Sequence, residues 1–186
     1  MKSETQGYTK ISIGMHWLIA LMVLTIFSVG LYMVTMPISP QKLRIYSWHK
    51  WTGITIFIFM ILRLSWKVAY PPSPMPEILK PWEKSLAGAV HILLYVLVFI
   101  IPVSGWLMSS ASGYKVVYLG ILALPDLIDK NKDMVEFYKW LHQYLNFTLL
   151  TAVILHISGA VKHLIIDRDI EAMRRMIPVL RRGDGR

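Results

Sequence analysis

The sequence predicts an all-α integral membrane protein, a four-helix bundle forming one domain over residues 1–186. Three observations point there. The chain is 55% hydrophobic and 17% charged, with mean hydropathy +0.49, too apolar for a soluble domain of this length. Its apolar residues gather in four blocks, each near the roughly 20 residues that a helix needs to cross a bilayer. Six histidines lie within or at the ends of those blocks.

Span one is expected over about 13–35, behind the polar stretch MKSETQGYTK. It is too long for a signal-peptide core and has no small-residue cleavage site, so it reads as a retained span. PISPQK then breaks the chain, and span two covers about 46–66. YPPSPMPEILKP separates it from span three, about 86–109. The connector from Ser110 to Phe137 is the longest, with the apolar VVYLGILALP followed by the charged DLIDKNKD. Span four covers about 138–166. Beyond it, Ile170, Met173, Ile177 and Leu180 recur at helical spacing among basic residues, which suggests a helix over 167–182 lying on the membrane surface. A disordered basic tail is the other reading of that stretch.

Net charge is +9, which in a soluble protein would suggest nucleic acid. Here it reflects basic flanks, and no nucleic-acid partner is expected. Thirteen of the 20 Lys and Arg fall on the side holding the N-terminus, the second connector and the C-terminus, so both termini are expected in the cytoplasm. Trp17, Trp48, Trp51, Trp66, Trp82 and Trp140 sit near span ends, as an aromatic belt would. Cysteine is absent, which excludes disulfides, thiolate catalysis and Cys-held zinc or iron–sulfur clusters. Metal chemistry therefore falls to His, Met, Asp or Glu.

The histidines are His16, His49, His91, His142, His156 and His163. One intramembrane histidine is ordinarily a helix–helix hydrogen bond. Six in four spans with few other polar residues point to ligation. His142 and His156 are fourteen residues apart, about 21 Å of rise and some 40° short of whole turns, so they share a face at two depths. His49 enters span two at the depth of His142. His16 enters span one near the depth of His156. Two bis-imidazole sites at two depths are what two b-type haems require, with His on both faces of each iron. Gly53 and Gly159, four and three residues after a histidine, are candidates for letting a flat macrocycle approach the backbone, although glycine also serves helix packing. His91 lies at the depth of His156 as well, and depth does not rank it against His16.

The stretches ISIGMHWLIA, GLYMVT, SWHKWTGITIFIFMILRLSWK, LAGAVHILLYVLVFIIPVSGWLMS, WLHQYLNFTLLTAVILHISGAVKH and DRDIEAMRRMIP cover nearly the whole chain. In them it resembles the bacterial cytochrome b561 family, related to the di-haem cytochrome subunits of nickel-iron hydrogenases. The resemblance implies a four-helix bundle of the bacterial inner membrane with two b haems. It implies His16 and His156 as axial ligands of the inner haem, and His49 and His142 of the outer. His91 and His163 match family histidines that are not axial ligands, which makes them candidates for quinone or haem-propionate contacts.

The function expected is electron transfer across the inner membrane, as an oxidoreductase taking electrons from superoxide at the periplasmic side to ubiquinone, an activity the family includes. Lys42, Arg44 and Lys50, with no acidic residue in the first outer connector, are candidates for steering the anion to the outer site. The alternative is a haem-containing membrane anchor for a periplasmic dehydrogenase or hydrogenase. The third connector balances its acids and bases and offers a docking surface for such a protein. Membrane lipid, a quinone, and superoxide or a donor protein are the partners expected, with a homodimer left open.

Overall fold

In the computed structural model, residues 8–72 and 80–165 are described. The expected surface helix over 167–182 lies outside them. Four long helices appear in chain order: α1 (Lys10–Thr35), α2 (Pro40–Ala69), α3 (Pro81–Ala111) and α4 (Lys132–Ile165). All four are long and apolar enough to cross a membrane.

Each helix starts where the side chains can satisfy its free N–H groups. Thr9 Oγ1 accepts from Ser12 N at 3.2 Å, and Ser39 Oγ accepts from Lys42 N at 3.2 Å with Pro40 in the first turn behind it. Glu83 Oε2 accepts from Lys80 N at 3.0 Å, with Pro81 opening α3. Asn131 Oδ1 accepts from Asp133 N at 3.1 Å at the head of α4. These caps start the helices three to six residues ahead of the apolar blocks. Lys42 and Arg44 therefore belong to the first turns of α2 and not to a connector.

The helices pack in chain order, α1 on α2, α2 on α3, and α3 most closely on α4. One apolar core joins Ile19, Ile56 and Met60, and a second joins Leu97, Leu149 and Ala152. Val23 and Val98 border both and so link the cores. Large apolar residues such as Leu21 and Ile92 are exposed on the outside, as expected where lipid is the solvent.

The α3–α4 connection is not a plain loop. Val117–Tyr118 (β1) pairs antiparallel with Leu122–Ala123 (β2). At the tip, Leu119 (φ 53°) and Gly120 (φ 74°) take left-handed backbone, a rare state for leucine. Trp51 Nε1 donates to Val117 O at 2.6 Å, and the Thr55 and Tyr118 hydroxyls lie 3.0 Å apart, which ties the hairpin to α2. Gly113 (φ 76°) turns the chain out of α3, where a Cβ would sit 2.9 Å from Lys130 Cδ.

Candidate functional site

The site is a ladder inside the bundle. His142 and His156 on α4 are fourteen residues apart, and the same interval recurs on the other three helices. It joins His16 to Gly30 on α1, His49 to Arg63 on α2, and His91 to Gly105 on α3. Because α1 and α3 run opposite to α2 and α4, two levels result, about 21 Å apart along the helices. The upper level holds Gly30, His49, Gly105 and His142. The lower level, at the end where α1 begins, holds His16, Arg63, His91 and His156.

At the upper level the His49 and His142 rings face each other with centroids 6.4 Å apart and planes at 77°. At the lower level the His16 and His156 rings are 6.3 Å apart at 68°. An imidazole nitrogen lies about 2 Å from a metal it ligates and about 1 Å from its own ring centre, so two rings on opposite faces of one ion sit about 6 Å apart. Both pairs fit a bis-imidazole iron. His91 is 5.1 Å from His156, too close for an ion between the rings.

Glycine makes the upper pair possible. A Cβ on Gly30 would lie 3.3 Å from His49 Cε1, and one on Gly105 would lie 3.2 Å from His142 Cε1. Each ring thus lies against the bare backbone of a neighbouring helix. The glycines singled out from sequence do not do this. A Cβ on Gly53 would meet Ile26, and one on Gly159 would meet nothing within 4 Å. A residue three or four along the same helix lies beside its own histidine, whereas the close approach comes from the helix opposite. The fourteen-residue interval already seen on α4 would have found Gly30 and Gly105.

The upper histidines are held differently. Ser104, 2% exposed, spends its single proton on Ile101 O at 2.7 Å, so its oxygen accepts from His142 Nδ1 at 2.8 Å. That hydrogen bond fixes the tautomer and leaves Nε2 as a bare nitrogen free to ligate. His49 Nδ1 is buried with no hydrogen-bond partner, the state in which a polar atom marks a functional group. Between the levels, Phe27 of α1 meets Phe147 of α4 edge to face at 6.3 Å.

The remaining candidates are spread out. Lys42 Nζ turns back to donate to Met36 O at 2.6 Å and lies 5.8 Å from the Tyr46 ring centre. Arg44 is exposed and Lys50 half-buried beside His49. His163 is half-buried near the end of α4, next to Lys162, which pairs with Glu83 of α3. Arg63, by sequence only a flanking charge, is 9% exposed and donates from Nη1 to Ser12 O at 2.7 Å.

Comparison with known proteins identifies the family. The model of the family described as prokaryotic cytochrome b561 matches residues 7–179. The chain is 32% identical over 180 residues to "Cytochrome b561 homolog 2" of Escherichia coli K12, covering 92% of each. It is 26% identical over 173 residues to "Probable superoxide oxidase CybB" of Yersinia pestis, covering 91% of this chain and 95% of that one. The chain therefore belongs to the prokaryotic cytochrome b561 family, and is a multi-pass b-type cytochrome of the bacterial inner membrane that works in electron transfer.

Proposed function

We propose that the chain holds two b haems and carries electrons from superoxide at the periplasmic face to ubiquinone. His49 and His142 are the ligands at the upper, periplasmic level, and His16 and His156 at the lower, cytoplasmic one. The observation that carries the reading is the double ring spacing, 6.4 and 6.3 Å, repeated one fourteen-residue interval apart. Both termini then lie in the cytoplasm, in keeping with the Lys and Arg bias.

When bound, each haem supplies a one-electron iron couple. The chain's own residues do the rest. Gly30 and Gly105 admit the upper rings, and Ser104 holds His142 with its ligating nitrogen unprotonated. The packed apolar cores between the levels keep water out of the electron path. Arg44 and Lys50, at the upper end of α2, raise the local concentration of an anion. Lys42 is turned toward its own connector and contributes charge at longer range. His91 and His163 serve the quinone at the lower end. The reaction balances as two superoxide anions releasing one electron each to give two O2, while ubiquinone takes both electrons and two protons to give ubiquinol. The kinship with a probable superoxide oxidase supports this donor.

The test is stopped-flow mixing of superoxide with quinone-loaded protein. Superoxide should vanish faster than by spontaneous dismutation, with ubiquinol formed in half the amount. Loss at the spontaneous rate would exclude this donor. One feature favours a protein donor instead. The connection between α3 and α4 exposes Ile121 (88%), Leu122 and Tyr114 near the upper site. Co-purification of a periplasmic dehydrogenase that loses its grip in Ile121→Asp would support that reading.

A further inference from the structure

Arg63 is a guanidinium inside a membrane helix, 9% exposed, and it makes no ion pair among the described residues. Burying such a charge without a counter-charge costs several kcal/mol. Its hydrogen bond to Ser12 O, 2.7 Å long, uses one of five N–H donors on a neutral acceptor. One turn further along α2, Lys67 Nζ lies over the Tyr95 ring at 4.7 Å. Ser12 is one turn from His16, and Tyr95 one turn from His91. The two cations thus reach from α2 toward both neighbouring helices at the lower level. The nearby acid Glu83 is engaged with Lys162.

This arrangement is prepared for an anion that lies at the lower site itself. A quinone is neutral and would leave the charge uncompensated. A b haem carries two carboxylates on one edge of its ring, and a guanidinium binds a carboxylate through two parallel hydrogen bonds. We propose that Arg63, assisted by Lys67, forms the carboxylate-binding site for the propionate edge of the lower haem. The proposal rests on the reading that His16 and His156 hold that haem. A fixed positive charge there favours the reduced state, so the site also sets the lower haem as the electron's destination.

The test isolates each haem first. In a His49→Ala background only the lower haem remains, and in His156→Ala only the upper. Adding Arg63→Gln to the first should lower the midpoint potential by about 59 mV, a tenfold shift in the one-electron equilibrium. It should also move the propionate-bending band in resonance Raman. Arg63→Lys and Lys67→Gln should shift the potential less, and they carry the test if Arg63→Gln does not assemble. Added to His156→Ala, Arg63→Gln should change nothing. An unchanged lower potential with haem retained would overturn the proposal, as would an equal shift of the upper haem. Delipidation of the unaltered protein should leave the potential in place. If it reproduced the Arg63→Gln shift, the anion would be a lipid phosphate and the proposal would fail. Should His49→Ala keep two haems or none, the ligand reading itself would be at fault, independently of Arg63.

Discussion

The upper and lower levels of the bundle share one scaffold and differ in what fills it. Each has a pair of facing imidazoles at nearly the same separation, 6.4 and 6.3 Å. Around the upper pair the other two ladder positions are Gly30 and Gly105, and His142 is locked by Ser104. Around the lower pair they are Arg63 and His91. The upper site is made by removing side chains so that the rings fit against backbone. The lower site is made by adding basic groups, which bring charge and a third imidazole to the same depth. A regular fourteen-residue interval thus supplies two equivalent pairs of imidazoles, and the other residues at each level make them unequal.

That contrast can be broken first at the ligands. His142→Ala should remove the upper haem entirely and leave the lower one with an unaltered spectrum, halving the haem bound per chain. Loss of both haems in folded protein would mean that the levels are not independent.

The glycines come next. Leucine at Gly105 or Gly30 would drive a side chain into a ring that a bare Cβ already approaches within 3.2 or 3.3 Å. Either change should abolish upper haem binding while sparing the lower site. The control is Gly88→Leu, since a Cβ there meets nothing within 4 Å. Both haems should survive that substitution, measured by haem content of purified protein.

Ser104→Ala is milder. It removes the acceptor that orients His142, and loss of such an outer contact lowers metal affinity about 10-fold or somewhat more. Haem titration of the upper site should register that drop, with no change below. The smallest effect expected lies outside both levels. Gly113→Ala forces a side chain into left-handed backbone and against Lys130, which should lower stability by about 1–2 kcal/mol. Thermal unfolding should report it, with both haem spectra intact.

The spans were legible because hydropathy alone decides whether a helix of this length belongs in lipid. The helix starts were less so. Ser39 and Pro40 are a readable start signal, but the polar turn they open is not apolar, so a hydropathy window begins α2 late. The hairpin was illegible for a different reason. Its strands are two residues long, and its turn places Leu119 in a conformation that leucine rarely adopts. Tertiary hydrogen bonds from Trp51 and Thr55 hold it there, and local pattern does not encode those. In the site, the His142–His156 interval was readable from one helix. Gly30, Gly105 and Arg63 obey the same interval, but their meaning depends on which helix they face, and a single helix does not reveal that.

Two imidazoles, those of His16 and His91, reach His156 at the same depth. The ring separations are 6.3 Å for His16 and 5.1 Å for His91, and only the first leaves room for an iron between the rings. The direct measurement is the haem-to-protein ratio of His16→Ala beside that of His91→Ala, each purified from membranes. The account predicts one haem per chain in His16→Ala and two in His91→Ala. Two haems in His16→Ala with one in His91→Ala would contradict it.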